Sequence, residues 1–319
     1  MKRLCAVFLV LCLAAGALFS LDPRLSAMGD TGIAVTGLDM NSYPNPAAVY
    51  FDRKDFTFAV YGGMSDTVWA RSLPYLPGGS FGVLFVADMI TIGIDLDLEA
   101  VNFREETGNV DLMQTTSIQV NLSAGTGHIS AGVGIQGGSV RQRLDVEMNT
   151  LADEFAQAFL APFNRVANSE FIKVNAGVMV NYSNLSVGVL MDNIISRDGR
   201  NTTFNFSSLF DETGIGVYWT RPEYSGRGKM NNLVYSFTLE YDNIFDSRSA
   251  ALKAGSEFTL RLVRDSSASI RAGYELFFRA DDIITAGVAL NLKKVEMFIN
   301  ATFPLSANAV VEAGAVVRL

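Results

Sequence analysis

Residues 171–182 read FIKVNAGVMVNY, and their character repeats every second position. Ile172, Val174, Ala176, Val178, Val180 and Tyr182 fall on one side, and Lys173, Asn175, Gly177, Met179 and Asn181 on the other. Successive side chains of an extended chain point to opposite faces, so this alternation predicts a strand with one apolar and one polar face. The pattern spreads outward from there. In SIQVNLSAG (117–125), Ile118, Val120, Leu122 and Ala124 oppose Gln119, Asn121, Ser123 and Gly125. In SIRAGYELFFR (269–279), Ile270, Ala272, Tyr274, Leu276 and Phe278 oppose Arg271, Gly273, Glu275, Phe277 and Arg279. YSFTLEYD (235–242) and SEFTLRL (256–262) repeat the scheme.

Alternation by itself leaves open which face is wet. In a soluble sandwich the apolar faces meet inside, whereas in a membrane barrel they point to lipid and the polar faces line the lumen. Three features favour the barrel. The strands run to about ten residues, the length a tilted strand needs to cross a bilayer. They follow one another through nearly the whole chain, with turn-like links such as Ser65-Asp66-Thr67 and Val263–Ser267. The second face repeatedly carries Gly, Asn, Gln, Glu and Arg, which is expensive in a dry core. The 22 Phe and 10 Tyr suit a lipid-facing surface with interfacial girdles. From Asp55 onward the runs predict an all-β antiparallel barrel of about 14 strands, with a soluble periplasmic sandwich as the alternative.

The first residues combine a basic start (Lys2, Arg3), an apolar run from Leu4 to Ala15 and small residues at Ala15-Gly16-Ala17. That is the pattern of a secretory signal peptide, assigned to residues 1–20 and too short for a membrane span. Both cysteines, Cys5 and Cys12, lie inside it, so the exported chain has neither disulfide nor thiol chemistry. Loss of Lys2 and Arg3 takes the formal charge from −8 to −10. An acidic chain without a Lys/Arg block speaks against nucleic acid as a partner.

Candidate chemistry is sparse. GGSFG (78–82) has the spacing of a nucleophile elbow around Ser80, but FGVLFVAD continues it as a strand, where an elbow needs a helix. His128 is the single histidine, and it cannot make a zinc site unaided. Asp95, Asp97 and Glu99 share one strand face, which in a barrel lines water. Asp281 and Asp282 lack calcium-loop spacing, and no phosphate-binding loop occurs. The expectation is a non-enzyme without cofactor or metal. Asp192-Asn193-Ile194 and Asp242-Asn243-Ile244 read as turn chemistry at two strand exits. In TLADEFAQAFLAPFNRV (150–166), Leu151, Phe155, Phe159 and Phe163 recur every fourth position, a helical stripe that Pro162 ends or kinks. Such a helix belongs in a long loop, either packed over the barrel mouth or offering its phenylalanines to a greasy ligand.

Both ends of the barrel region carry further information. AVVEAGAVVRL (309–319) is a strand to the last residue, with Val311, Ala313, Ala315, Val317 and Leu319 on its apolar face. Glu312, Gly314, Val317 and Leu319 resemble the terminal signal by which bacterial barrel-assembly machinery recognises its clients, with Leu in place of the usual Phe. Near the other end, GDTGIAVTGLDMNSYPNPAAVYF (29–51) does not alternate. Asn45 and Pro46 suit the N-cap and first position of a helical turn, and Gly29, Gly32, Ala34 and Gly37 keep the chain thin. A thin segment with apolar Ile33, Ala34 and Val35 fits inside a barrel.

Met28, Gly29, Gly32, Ala34, Asp39, Asn45, Pro46 and Ala47 together resemble the N-terminal hatch of the outer-membrane long-chain fatty-acid transporter family. Related barrels with the same opening include spirochaete paralogues and type IX secretion subunits. The resemblance implies a hatch at 21–52, a barrel at 53–319 and a place in the outer membrane of a diderm bacterium. It also implies uptake of hydrophobic small molecules, such as long-chain fatty acids, through a plugged lumen with lateral exit into lipid. Phe155, Phe159 and Phe163 are then a candidate landing surface. The partners implied are an apolar ligand, outer-membrane lipid and the assembly machinery. Two other readings share the barrel: a scaffold or secretion partner without transport, and a general diffusion porin.

Overall fold

A computed structural model describes residues 23–36, 43–52, 57–68, 78–104, 106–160, 169–198, 212–221, 233–246, 248–263, 266–278, 281–305 and 309–318. The signal-peptide region, Gly37, Asp39, Phe163 and Leu319 lie outside these residues. Fourteen strands make up most of the described chain. They are β1 (Thr57–Val68), β2 (Gly78–Ala87), β3 (Ile90–Arg104), β4 (Asn109–Gly125), β5 (Ile129–Glu147), β6 (Ser169–Tyr182) and β7 (Leu185–Asp198). They continue as β8 (Thr213–Thr220), β9 (Leu233–Asp242), β10 (Ala251–Val263), β11 (Ser266–Phe277), β12 (Ile283–Leu292), β13 (Val295–Pro304) and β14 (Ala309–Arg318). Each pairs antiparallel with its sequence neighbours, and β1 pairs with β14 through registers such as Gly62↔Ala315, so the sheet closes into a barrel without an edge.

The sidedness is that of a membrane barrel. Val178 and Val180 on β6 are 45% and 43% exposed, and Ile270 on β11 is 64% exposed. Ile92, Ile118, Val133, Val217, Leu239, Val288 and Ile299 continue this outward apolar belt around the wall. The opposite face holds buried polar side chains, among them Asp95, Asn121, Glu240, Glu257, Arg271 and Asn300. A soluble sandwich would bury the first set and wet the second, so that alternative is excluded. Among the described residues no helix is long and apolar enough to cross a membrane.

At one end of the barrel, β2–β3, β4–β5, β6–β7, β10–β11 and β12–β13 are joined by two or three residues; at the other the connections are mostly longer. Eight of the strands exceed the expected length of about ten residues, three of them by five or more. β3, β4 and β5 have 15, 17 and 19 residues and rise past their neighbours at the long-loop end. There Leu98, Val110, Leu112 and Val146 bury themselves under the helix α2 (Leu151–Leu160), through Leu151 and Ala158. The extra strand length thus serves a small apolar core outside the belt. Two local expectations are corrected. Ser65-Asp66-Thr67 is not a link but part of β1, paired with Glu312, Val311 and Val310 of β14. Asp192-Asn193-Ile194 is not a strand exit: β7 continues through it as a bulge opposite Asn175, with Asn193 in the left-handed region (φ 49°). The second copy of the motif does end a strand, since β9 stops at Asp242 and Asn243 turns the chain at φ 53°.

Candidate functional site

The N-terminal segment (23–36 and 43–52) lies against the inward face of the wall. It starts with the short helix α1 (Pro23–Ser26) and ends in a 3₁₀ turn, Pro46–Tyr50. As expected, Asn45 caps that turn: its Oδ1 accepts the Ala47 N–H at 3.0 Å, and Pro46 occupies the first position. The Asn45 amide also donates to the Ile33 carbonyl at 2.8 Å, tying the two halves of the segment together. Leu25, Ala34, Val35, Tyr43, Ala47, Ala48 and Val49 form a buried cluster with Met179 of β6 and Tyr218 of β8. Met179 interrupts a polar face in sequence because it meets this segment and not water.

Inward-facing glycines make room for the segment. Ala27 crosses Gly287 on β12, Met28 crosses Gly255 on β10, Ile33 crosses Gly214 and Gly216 on β8, and Pro46 crosses Gly132 on β5. A Cβ on Gly255 would stand 2.5 Å from the Met28 carbonyl oxygen, and one on Gly287 2.6 Å from the Ala27 Cβ. On Gly273 it would overlap the backbone of Met28 and Gly29, and on Gly177 the Asn45 side chain. The segment therefore runs around the lumen from β12 towards β5 with its backbone nearly touching the wall. Gly29 itself has φ 73°, a conformation that suits glycine. Of the residues singled out in sequence, Met28, Gly29, Gly32, Ala34, Asn45, Pro46 and Ala47 are all buried in this contact.

Polar side chains hold the segment at both ends. Ser130 Oγ donates to the Ala47 carbonyl at 2.8 Å, Thr285 Oγ1 donates to the Ala27 carbonyl at 3.1 Å, and the Ile33 N–H donates to Glu240 Oε1 at 2.6 Å. Arg24 of α1 pairs with Glu257 at 2.7 Å. Glu257 also pairs with Arg271, Arg271 with Glu296, and Glu296 with Arg318 of the last strand, at 2.9, 3.0 and 2.6 Å. This buried chain of charges joins the N-terminal segment to β10, β11, β13 and β14.

Two cavities flank these contacts. The first, about 380 Å³, opens at the long-loop end between the segment and β7–β10, lined by Asp30, Asp192, Glu212, Glu240, Asp242 and Lys253 among others. The second, about 370 Å³, notches the wall where β4, β5 and β6 pair, around Ile118, Gly137, Gly138, Phe171 and Ile172. Along β5 the strict exposed-buried alternation ends at Ile135, just before this notch.

The other sequence candidates sit as follows. Phe155 and Phe159 are on α2, whose Leu151 and Ala158 face the β3–β5 core; their side chains lie outside the described residues. The Gln114 side-chain amide donates to the Ala158 carbonyl at 2.7 Å, and Arg143 pairs with Glu154, fastening the helix to β4 and β5. Glu312 faces inward and accepts from Asn300 at 3.4 Å, Gly314 pairs with Gly63 and Phe298, and Val317 pairs with Val60 and Val295. Ser80 lies inside β2, and His128 sits in the β4–β5 turn beside Asn181. Among the described residues no cluster is arranged to hold a metal. Sequence reasoning passed over Glu240, Glu257 and Arg271 as segment-holding residues. Their one signal was a position on a polar strand face, shared with the glycines.

No family model matches the chain, and no curated protein does so significantly. Solved structures do match. A monoaromatic hydrocarbon channel, CymD, superposes with a TM-score of 0.58 at 9% identity, covering 95% of this chain and 99% of that one. The Pseudomonas putida toluene transporter TodX gives 0.54 at 10% identity, with 95% and 98% covered. The Ralstonia pickettii toluene transporter TbuX gives 0.52 at 10% identity, with 94% and 98% covered. At this identity the likeness is one of fold, and it extends over essentially the whole barrel. It is the fold that the resemblance in Met28–Ala47 implied.

Proposed function

We propose that this chain is an outer-membrane barrel that takes up hydrophobic small molecules, long-chain fatty acids or hydrocarbons, past an N-terminal hatch. The observation that carries the reading is the segment seated on inward-facing glycines inside a barrel with an apolar exterior. A water-filled porin has no use for an apolar segment packed along the inside of its wall. A greasy solute gains nothing from a continuous water path, and each CH₂ kept out of water is worth about 0.8 kcal/mol. The names of the structural neighbours, a hydrocarbon channel and toluene transporters, lend the same support.

In this reading residues 21–52 are the hatch and 53–319 the barrel, with Met28, Gly29, Gly32, Ala34, Asn45, Pro46 and Ala47 as its seating motif. The long-loop end faces outward, as is usual for such barrels. Ligand lands near α2, where Phe155, Phe159 and Phe163 are the landing surface, and leaves through the notch at Gly137–Gly138 into lipid. Glu312, Gly314, Val317 and Leu319 are read by the assembly machinery. The test is mass spectrometry of apolar molecules extracted from the detergent-purified protein. Near-stoichiometric fatty acid or hydrocarbon is expected, reduced when Phe155, Phe159 and Phe163 become Ser. A folded barrel with no apolar ligand would overturn the uptake reading.

A further inference from the structure

Helix α2 is attached to the outside of the wall. Leu98 of β3 and Leu112 of β4, which bury Leu151 and Ala158, fall on the same strand faces as Ile94 and Ile118 of the lipid-facing belt. Pairing of the two strands runs without a shift from Ile94↔Ile118 to Ala100↔Leu112, so a single outward face carries the belt below and α2 above. Gln114, which holds the Ala158 carbonyl, is on that face as well, four positions above Ile118.

The notch between β4, β5 and β6 lies where these two zones meet. Ile118 and Ile172, with Gly137 paired between them, close the apolar belt. Two positions higher on the same face, Thr116, Ser139 and Glu170 are paired across the same strands, and this row is polar. All six residues line the notch. A change from apolar to polar along the outward face of a barrel marks the edge of the hydrocarbon layer, and the notch straddles it. Phe171 backs the notch from the lumen: it pairs with Gly138 on the inward face, and a Cβ on Gly138 would stand 2.7 Å from its ring. The volume of about 370 Å³ holds about a dozen groups the size of a water molecule. That is room for a polar head and the first carbons of one chain, and too little for a phospholipid head with two chains.

We propose that the notch binds single-chain amphiphiles dissolved in the leaflet on the long-loop side, with the head among Thr116, Ser139 and Glu170 and the chain along Ile118 and Ile172 in lipid. A carboxylate only accepts hydrogen bonds and a hydroxyl can accept them, so the head that fits is a donor such as an alcohol. The inference rests on the uptake reading and deepens it. The landing helix and the lateral opening become one site on one face, and the substrate class narrows to apolar chains with a hydrogen-bonding head.

The test refolds the full chain into phosphatidylcholine vesicles containing dodecanol with a photoreactive diazirine near its hydroxyl, or dodecane with the same group. After illumination the labelled residues are mapped by mass spectrometry. Dodecanol is expected to label 116–118, 137–139 and 170–172 about tenfold more than the belt around Ile270, the factor that one hydrogen bond to a charged group supplies. Dodecane is expected to label both regions alike. Gly137→Leu should abolish the excess with the heat-dependent gel shift intact, because a Cβ there meets only the Phe171 carbonyl oxygen, at 3.8 Å. Where that variant does not fold, Ser139→Ala/Glu170→Leu is read the same way. Equal dodecanol labelling of notch and belt overturns the site, and a phospholipid seated in the notch gives this result because vesicle lipid is in excess. An excess that survives both folded variants overturns the assignment to these residues, and an equal excess with dodecane overturns the role of the head. Labelling reports occupancy and needs no transport, so each of these failures leaves the uptake reading to be decided by the molecules extracted from the purified protein.

Discussion

At Gly273 the wall and the segment are so close that a single methyl group has nowhere to go. The atoms in the way belong to the backbone of Met28 and Gly29, which cannot swing aside like the end of a side chain. Overpacking of this kind costs about 1–3 kcal/mol, and it falls on the seating of the segment because β11 keeps its partners on both sides. Gly273→Val is therefore expected to raise single-channel ion conductance in planar bilayers, with the barrel still shifting on heated gels. Unchanged conductance would show that the segment does not block the lumen. Asn45 acts at the other end. Its side chain caps the 3₁₀ turn and holds the Ile33 carbonyl, and loss of a cap costs about 1 kcal/mol. Asn45→Ala should speed protease cleavage within the segment about 5- to 30-fold, the factor that one to two kcal/mol carries.

Among the elements, α2 shows how packing and charge divide the work. Leu151 is buried against Leu98 and Leu112, whereas Arg143 of the Arg143–Glu154 pair is 43% exposed at its side chain. An exposed ion pair contributes at most about 1 kcal/mol, and a buried leucine cut to alanine loses about 2–5 kcal/mol. Leu151→Ala should accelerate amide hydrogen exchange along α2 and the long-loop ends of β3 and β4, while Arg143→Gln leaves it nearly unchanged. The element itself was legible: four-residue spacing in an alternating chain announced a helix in a loop. Which side of it meets the wall was not, because the partners Leu98 and Leu112 are more than 35 positions away and only the overlong β3 and β4 bring them there.

Over the whole molecule, stability depends on the outward belt matching the bilayer. An arginine on the lipid face near the midplane costs about 2–4 kcal/mol, while lumen positions tolerate charge. Val178→Arg should lower the urea midpoint for unfolding from lipid vesicles well below that of the inward Lys173→Arg on the same strand. Equal midpoints would contradict the sidedness described here. Much of this scale could be read from the chain alone. A period of two, apolar on one face and Gly, Asn, Glu and Arg on the other, determined the strands, their two faces and a count near fourteen, because side-chain direction is a local property of extended backbone; it favoured the barrel, and the exposure of the apolar face decided against the sandwich. The small-residue run at 29–48 likewise announced a segment that had to fit somewhere narrow. Tertiary structure alone decided where it is seated. Arg24 and Glu257 are 233 positions apart, and Asp192 and Asp242 reach one cavity only after a bulge and a turn. Closure of the sheet sets those meetings, since register accumulates around the wall and appears in no single strand.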